Sequence, residues 1–168
     1  MLALEAVKKI PGDIAEVGSF EGVSAKLLAM TDGRRTLHLF DTFEGLPSPS
    51  DKDSKGFYTG QYRASEAEVK NYLRDFDVRI YKGLFPSTAG PIAEKTFAFV
   101  HLDVDLYDST KACLEFFYER MARGGIILTH DYAAREEGVY RAFQDFFHDK
   151  PEPVIELGGN QGIVVKLS

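Results

Sequence analysis

The stretch FAFVHLDVDLYDST, residues 97–110, begins as a mostly apolar run and ends in acids. A run rich in Phe, Val and Leu predicts a strand that is buried on both faces, as in a parallel sheet. Asp103 and Asp105 follow the run, and Asp108 stands at the start of a helical pattern. A strand, an acidic turn and a helix in this order are typical of an open α/β sheet, which binds ligands beyond the carboxyl ends of its strands.

The same alternation of strand and helix continues along most of the chain. Apolar residues recur with helical spacing from Val69, from Thr110 and from Val139, so each segment has one face for a sheet. Near the end, two apolar runs flank the turn GGNQG at 158–162, which predicts an antiparallel pair. The expected strands are 14–18, 36–41, 78–81, 97–104, 125–131, 153–157 and 163–167.

These elements predict an α/β fold with a doubly wound, Rossmann-like sheet of seven strands, mostly parallel and with a C-terminal antiparallel hairpin. The chain has 168 residues, 44% of them apolar, so we expect residues 1–168 to form a single domain with its own core. Residues 43–64 form a long polar insertion after the second strand, which predicts a lid or binding loop. In this insertion Tyr58 and Tyr62 are candidates for covering a ligand.

Charge and apolar pattern narrow the classes of partner. A net charge of −6, with scattered basic residues, argues against nucleic acid. No apolar run approaches the roughly 20 residues of a membrane span, so no membrane association is expected. The single Cys113 fits a reducing cytoplasm. The segment 116–118, FFY, suits either packing on the sheet or a subunit contact, so a homo-oligomer stays open.

The ends of the first two strands carry candidate cofactor-binding residues. In EVGSFEGVS, Gly18 and Gly22 follow Glu16 with the spacing G-x-x-x-G. Such glycines let a turn approach a ligand closely, but they also serve purely structural turns. The second strand ends in Asp41, where nucleotide-cofactor folds use a carboxylate to bind ribose hydroxyls. The alternative is an aspartate that opens an Asx turn.

Acids at the fourth and fifth strand ends form a candidate cation site. Asp103 and Asp105 point the same way if the chain stays extended, and THDY places His130 and Asp131 at the neighbouring strand end. Oxygen ligands with one imidazole suit Mg²⁺, Mn²⁺ or Fe²⁺. The alternative is a set of solvated acids at a sheet edge. Asp108 is expected to be the N-cap of the next helix.

Four segments together resemble one family. EVGSFEGVSAKLLA (16–29), FDTFEGLP (40–47), FVHLDVDLYDST (99–110) and GGIILTHDY (124–132) occur in this order. They are similar to segments of the macrocin O-methyltransferase group, S-adenosylmethionine-dependent enzymes that modify sugar hydroxyls. The resemblance covers about residues 12–150 and implies a class I methyltransferase fold.

The resemblance also implies roles for individual residues. S-adenosylmethionine would lie across the turn from Gly18 to Gly22, with its ribose on Asp41, and the divalent metal would be Mg²⁺ or Mn²⁺. Asp105 matches the general base of the family. The implied metal ligands are Asp103, His130 and Asp131. The implied cofactor-binding residues are Glu16, Gly18, Ser19, Gly22, Asp41, Thr42 and Asp103.

Two features depart from the family's pattern. Family members commonly have an acid where this chain has His130, and they carry an N-terminal extension that helps to cover the substrate, whereas about a dozen residues precede the first strand here. The expected reaction is methyl transfer to a hydroxyl of a sugar or another vicinal diol. Two rivals are a non-catalytic cofactor- or metal-binding module and an NAD-dependent oxidoreductase, which should carry G-x-G-x-x-G after the first strand.

Overall fold

The computed structural model describes residues 2–132 and 137–168. The helices are α1 (Leu2–Ala6), α2 (Val23–Asp32), α3 (Glu66–Tyr72), α4 (Tyr107–Phe117) and α5 (Glu137–Phe147). The strands are β1 (Asp13–Val17), β2 (Leu37–Asp41), β3 (Val78–Lys82), β4 (Phe97–Leu102), β5 (Met121–Thr129), β6 (Ile155–Leu157) and β7 (Gln161–Val165). Short 3₁₀ turns span Gly90–Ile92 and Tyr118–Arg120.

The strands of the described residues form one seven-stranded sheet with the order β3-β2-β1-β4-β5-β7-β6. Strands β1 to β5 pair in parallel, whereas β7 is antiparallel to both β5 and β6. The strand order reverses between β1 and β4, so the sheet has its switch point there. The doubly wound, mostly parallel sheet with a C-terminal hairpin is confirmed.

Buried aromatic and aliphatic side chains fill both faces of the sheet. Every residue of β4 is buried, as expected for a central parallel strand. On one face Phe97 meets Phe117 of α4 edge to face, with 5.1 Å between the ring centroids. On the other face Phe99 belongs to a cluster that includes Leu28 of α2. Because truncating a buried Phe to Ala costs about 3–5 kcal/mol, such contacts hold α4 firmly beside the strand ends.

The predicted helical faces are mostly present. The residues of α4 that were expected to face the sheet are buried: Thr110, Cys113, Leu114 and Phe117. Helix α3 ends at Tyr72, so Phe76, the last residue of its predicted face, lies beyond the helix. In the ranges 2–132 and 137–168 no helix combines the length and the apolar content that a membrane crossing requires.

Most strand limits differ from the prediction by one or two residues, and those of β4 and β5 bear on the site. Strand β4 ends at Leu102 rather than at 104, and Asp105 has a left-handed backbone conformation with φ of 58°. Strand β5 begins at Met121 rather than at 125. It pairs with Phe97 at its start and then shifts register, and Gly124 has φ of 81° in this irregular stretch. The glycine pair at 124–125 therefore interrupts the ladder of a longer strand and does not begin a new one.

Candidate functional site

An open cleft of about 880 Å³ lies beyond the carboxyl ends of the central strands. This is the place where open α/β sheets bind ligands, and the volume is within the usual range for small-molecule sites. Segments after β1, β2, β4 and β5 contribute to its walls. The predicted site residues that line it are Gly18, Ser19, Asp41, Thr42, Asp103, Asp105, His130 and Asp131.

The turn after β1 passes so close to the turn after β4 that position 18 has no room for a side chain. Gly18 has φ of 83°, and a Cβ there would lie 1.9 Å from the carbonyl oxygen of Asp103. Gly22 is the N-cap residue of α2, and a Cβ there would lie 3.2 Å from Val69. Gly22 is not part of the cleft lining. Packing alone therefore explains why both positions are glycine. Gly18 also borders the cleft.

Asp41 ties the end of β2 to the turn after β1. Its Oδ2 accepts hydrogen bonds from the backbone N–H groups of Ser19 (2.7 Å) and Phe20 (2.9 Å). Its Oδ1 accepts a hydrogen bond from the backbone N–H of Phe43 at 2.7 Å, which is the Asx-turn bond that the sequence left open. The carboxylate thus braces the glycine turn and at the same time borders the cleft, beside Thr42.

Three side chains from the ends of β4 and β5 converge in the cleft. One ligand atom from each of Asp103, His130 and Asp131 lies within 4.8 Å of the other two. Nδ1 of His130 is 3.0 Å from Asp131 Oδ1 and 3.7 Å from Asp103 Oδ1. Burial raises the pKa of Asp103, and the charge of Asp131 adds to this effect. Two carboxylates and one imidazole are a donor set that fits a divalent cation.

Asp105 borders the same cleft but does not belong to this three-residue group. Its φ of 58° takes the residue out of the extended conformation. The argument that Asp103 and Asp105 point the same way through strand alternation therefore does not hold, because alternation requires an extended chain. Asp103 lies among the candidate ligands, and Asp105 lies in the same turn and borders the same cleft outside that group.

Glu16 lies in the interior of the sheet and is not part of the cleft lining. Its side chain is fully buried, with Oε1 2.8 Å from Nδ1 of His101. Burial acts to lower the pKa of His101, but the hydrogen bond and the charge of Glu16 outweigh it, so this pKa is raised. Among the described residues, Glu16 Oε2 has no hydrogen-bond partner. The structure therefore brings Glu16 to His101 and not to the cleft.

The model of the macrocin O-methyltransferase family matches residues 2–159 of the chain. The chain belongs to this family. It is 30% identical to the 8-demethyl-8-(2,3-dimethoxy-alpha-L-rhamnosyl)-tetracenomycin-C 4'-O-methyltransferase of Streptomyces olivaceus, over 89% of this chain and 64% of that protein. It is also 30% identical to the demethyldecarbamoylnovobiocin O-methyltransferase of Streptomyces niveus, over 73% of this chain. The chain spans 53% of that second relative's length.

The fold of this macrocin O-methyltransferase family member is shared with solved class I methyltransferases. The crystal structure of CalS11, a calicheamicin methyltransferase, matches with a TM-score of 0.83 at 22% identity. The match covers 98% of this chain and 77% of that one. The seven-stranded sheet with its antiparallel C-terminal strands is thus a class I methyltransferase sheet.

The insertion at 43–64 of this family member borders the cleft with one of its two candidate tyrosines. The backbone N–H of Leu46 donates a hydrogen bond to the carbonyl oxygen of Gln61 at 2.8 Å, which joins the two ends of the insertion. Tyr62 lines the cleft, and its ring meets that of Phe20 edge to face at 5.9 Å. The insertion therefore forms part of the cleft wall.

Tyr58, the other predicted covering residue, is 64% exposed and not part of the cleft lining. Sequence reasoning also missed several apolar residues that border the cleft, among them Phe20, Leu84 and Val104. Their signal was weak, because an apolar residue at a strand end is as common in a core as in a ligand site.

The N-terminus of α4 is not capped as the sequence predicted. The N-cap position is Leu106, so Asp108 lies within the first turn of the helix and the prediction of an Asp108 cap is wrong. The backbone N–H of Tyr107 donates instead to Oδ1 of Asp53 at 2.6 Å. Asp53 stands 54 residues earlier, in the insertion, so no local sequence signal could have revealed it.

Proposed function

We propose that this protein is a divalent-metal-dependent O-methyltransferase that transfers a methyl group from S-adenosylmethionine to a hydroxyl of a sugar or another vicinal diol. One observation carries the proposal. The ligand atoms of Asp103, His130 and Asp131 converge in the same cleft that Gly18 and Asp41 line. Membership of the macrocin O-methyltransferase family and the names of the two relatives support the reaction class.

Gly18, Ser19, Asp41 and Thr42 are the residues proposed to hold S-adenosylmethionine. Gly18 leaves its backbone uncovered at the cleft, because it carries no side chain. A carboxylate offers about four acceptor positions, so Oδ1 of Asp41 keeps capacity for a ribose hydroxyl beside its bond to the Phe43 N–H. When it is bound, the cofactor supplies a methyl group that is already activated on a sulfonium.

Glu16 and Gly22 are proposed to support the cofactor site indirectly. Gly22 is the N-cap residue of α2 and lies close to Val69, so it sets where the helix starts after the glycine turn. Glu16 binds His101. The charge of His101 acts to lower the pKa of Asp103, against the effect of burial. Neither role requires contact with the cofactor.

Asp103, His130 and Asp131 are proposed as metal ligands and Asp105 as the general base. The donor set suits Mn²⁺ and also accommodates Mg²⁺, and a cation held there would lower the pKa of an acceptor hydroxyl. Asp105 would take the hydroxyl proton onto its carboxylate. The rest of the rate enhancement comes from positioning, because a neutral alcohol and an activated methyl group need correct alignment above all.

The mouth of the cleft supports an acceptor sugar that is attached to an apolar group. Phe20, Leu27 and Met30 line the cleft and are 41%, 48% and 62% exposed. Apolar side chains clustered on a surface mark binding sites. The relative from Streptomyces olivaceus is named for a rhamnosyl tetracenomycin. We therefore propose a small-molecule glycoside as the acceptor, without a nucleic-acid or membrane partner.

The same proposal covers the organisation of the chain. Residues 1–168 are proposed to work as a single methyltransferase domain, with the insertion at 43–64 as a lid beside the cleft. The free thiol of Cys113 is consistent with a cytoplasmic location. Assembly into a homo-oligomer is left to measurement of the mass in solution.

Calorimetric titration tests the cofactor part of the proposal. S-adenosylmethionine and NAD are each titrated into the protein with and without Mg²⁺ or Mn²⁺. We expect S-adenosylmethionine to bind and NAD not to bind, because the turn after β1 has the spacing G-x-x-x-G and not the G-x-G-x-x-G of dinucleotide sites. Binding of NAD alone would favour an oxidoreductase and overturn the proposal.

Turnover separates an enzyme from a binding module. Release of S-adenosylhomocysteine is measured with 4-nitrophenyl α-L-rhamnoside and with a catechol as diol acceptors, in the presence of Mn²⁺. Asp105→Asn should lower turnover by about 10²-fold. Asp108→Asn serves as the matched control, because Asp108 is an exposed acid three residues away and outside the cleft lining. Cofactor binding without turnover of any diol in the panel would point to the non-catalytic module.

A further inference from the structure

One buried carboxylate ties the insertion to the turn that carries Asp105. Asp53 is 9% exposed although it stands in a polar loop. Its Oδ1 accepts the hydrogen bond from the Tyr107 N–H at 2.6 Å. Its Oδ2 accepts hydrogen bonds from the backbone N–H (2.7 Å) and the hydroxyl (2.9 Å) of Ser50. Both oxygens are thus engaged, one by α4 and one by the insertion itself.

The bond to Tyr107 replaces a cap that α4 does not have in its own sequence. The N-cap residue Leu106 has no side-chain acceptor for the first N–H groups of the helix. Without Asp53, the backbone N–H of Tyr107 would be left in a buried position without this acceptor. The start of α4 therefore depends on a residue that lies far away in the chain.

The backbone of α5 closes the space around this carboxylate. A Cβ at Gly138 would lie 2.3 Å from Oδ1 of Asp53 and 3.0 Å from the backbone nitrogen of Tyr107. Lys52, the neighbour of Asp53, places Nζ 3.7 Å from the centre of the Tyr107 ring. The carboxylate therefore lies between two helices and its own loop.

The anchored residue is two positions from the proposed general base. The turn 103–107 is fixed at its first end by the hydrogen bond from the Asp103 N–H to the Val17 carbonyl oxygen at 2.9 Å. Asp53 fixes its other end at Tyr107. Between these two points Asp105 has φ of 58°, a conformation that a non-glycine residue adopts at an energetic cost and that its surroundings must maintain.

We propose that Asp53 is a positioning residue for methyl transfer. Its carboxylate holds the turn 103–107 in the shape that aims Asp105 into the cleft, and it makes the base of the insertion part of the same unit. The role of Asp105 rests on the proposed function, whereas the mechanical link from Asp53 to the turn does not. The two parts are therefore tested by different measurements.

Hydrogen exchange tests the mechanical link without any acceptor. In Asp53→Ala, amide exchange in peptides that cover 103–110 should accelerate by about tenfold or more, because the anchor at Tyr107 is lost. Exchange in peptides that cover β1 and β2 should stay unchanged. Asp51→Ala is the matched control, since Asp51 is an exposed acid of the same loop. Equal protection of 103–110 in both variants would overturn the proposal.

Gly138→Ala gives a second route that leaves the Asp53 side chain in place. The added methyl group would displace the carboxylate from α5, so exchange at 103–110 should rise as it does in Asp53→Ala. In the double variant Asp53→Ala with Gly138→Ala, the second change should add less than it does alone, because only the contact with the Tyr107 nitrogen remains. Fully additive effects would mean that the two residues act separately and would contradict the proposal.

Kinetics then separates positioning from general loss of structure. With the diol acceptors, kcat of Asp53→Ala should fall by about tenfold or more, while KM and the affinity for S-adenosylmethionine change by less than about threefold. Asp53→Asn keeps one oxygen acceptor for the Tyr107 N–H and should restore part of kcat. If kcat falls only in proportion to the fraction of protein that still binds the cofactor, Asp53 has a structural role alone. If the wild type turns over no diol, the proposed function fails while the exchange result still stands.

Discussion

The two halves of the cleft are built in different ways. The proposed cofactor half, formed by the turn after β1 and the end of β2, is fixed mainly by contacts to the backbone. Asp41 accepts two N–H groups of that turn, and Gly18 packs directly on the carbonyl oxygen of Asp103. This half has its shape before any ligand arrives, because each of these contacts lies within the protein.

The acid half, formed by the turns after β4 and β5, is a set of charged side chains. Asp103 and Asp131 lie with His130 in a small group, and Asp105 and Asp131 both have positive φ, 58° and 56°. Like charges held together cost free energy, and a bound cation would remove that cost. One half therefore provides a preformed surface, whereas the other provides negative charge that the proposed metal would neutralise.

The largest effect is expected from removal of Asp103, which joins both halves. Asp103→Ala should abolish metal binding and lower turnover by about 10³-fold or more, because the cation and its activation of the hydroxyl are lost together. Titration of Mn²⁺ and release of S-adenosylhomocysteine measure the two effects. Asp108→Ala, an exposed acid of the same segment, is the control. Full Mn²⁺ affinity in Asp103→Ala would remove Asp103 from the ligand set.

Gly18→Ala attacks the contact between the halves. The left-handed conformation costs a side chain about 1–2 kcal/mol, and the clash with the Asp103 carbonyl should bring the loss of unfolding free energy to about 2–4 kcal/mol. Affinity for both S-adenosylmethionine and Mn²⁺ should fall, because the methyl group pushes the two turns apart. Denaturant unfolding and calorimetry measure these changes.

Gly33 provides the matched control for Gly18→Ala. Gly33 also has a positive φ, 60°, but a Cβ there meets nothing within 4 Å. Gly33→Ala should therefore show the conformational cost of about 1 kcal/mol alone and leave both affinities unchanged. If the two variants lose the same stability and keep the same affinities, the close approach of the turns does not contribute to ligand binding.

Asp105→Asn separates the proposed base from the proposed ligands. The amide cannot take a proton, so methyl transfer should slow by about 10²-fold, while Mn²⁺ affinity stays nearly intact. The structure favours this division, because Asp105 borders the cleft but stands outside the three-residue group. Equal loss of metal affinity in Asp103→Ala and Asp105→Asn would sink the division of labour.

Sequence reasoning succeeded where structure depends on local pattern. The apolar run of β4 and the Gly-rich turn before β7 specify their elements through burial and turn chemistry, which neighbouring residues determine. The meeting of Asp103 with His130 followed from one general rule, that parallel strands end at the same edge of the sheet. These features required no knowledge of distant contacts.

The same reasoning failed where a distant partner decides the conformation. Asp105 leaves the extended conformation, and Asp53 rather than Asp108 accepts the first N–H of α4. Glu16 has the spacing of a cofactor ligand, yet its side chain binds His101. In each case the deciding contact joins residues that are far apart in sequence or depends on a turn conformation that no local pattern indicates.

Asp41→Ala tests whether Asp41 binds the cofactor or only braces the glycine turn. Affinity for S-adenosylmethionine should weaken by about 1–3 kcal/mol, because the N–H groups of Ser19 and Phe20 lose their acceptor and the ribose loses a partner. Mn²⁺ affinity should stay within about twofold, since the acid half does not use Asp41. Unchanged cofactor affinity in calorimetry would reduce Asp41 to the Asx turn with Phe43.

The smallest effect is expected from His130→Asp, which changes the chemistry of the acid half without removing a ligand. An imidazole suits Mn²⁺ and Co²⁺ better than Mg²⁺, so the variant should shift the ratio of Mn²⁺ to Mg²⁺ affinity towards Mg²⁺ by about tenfold. In the wild type, Nδ1 of His130 lies 3.0 Å from Asp131 Oδ1, close enough for both side chains to bind one cation.

Acidification sharpens the test of His130. Metal binding by an imidazole requires the unprotonated ring, so wild-type Mn²⁺ affinity should fall more steeply on acidification than that of His130→Asp. His148→Asp is the control, because His148 is exposed and hydrogen-bonds the carbonyl oxygen of Asp145 away from the cleft lining. Identical selectivity and pH profiles in wild type and His130→Asp would show that the two aspartates bind the metal without the histidine.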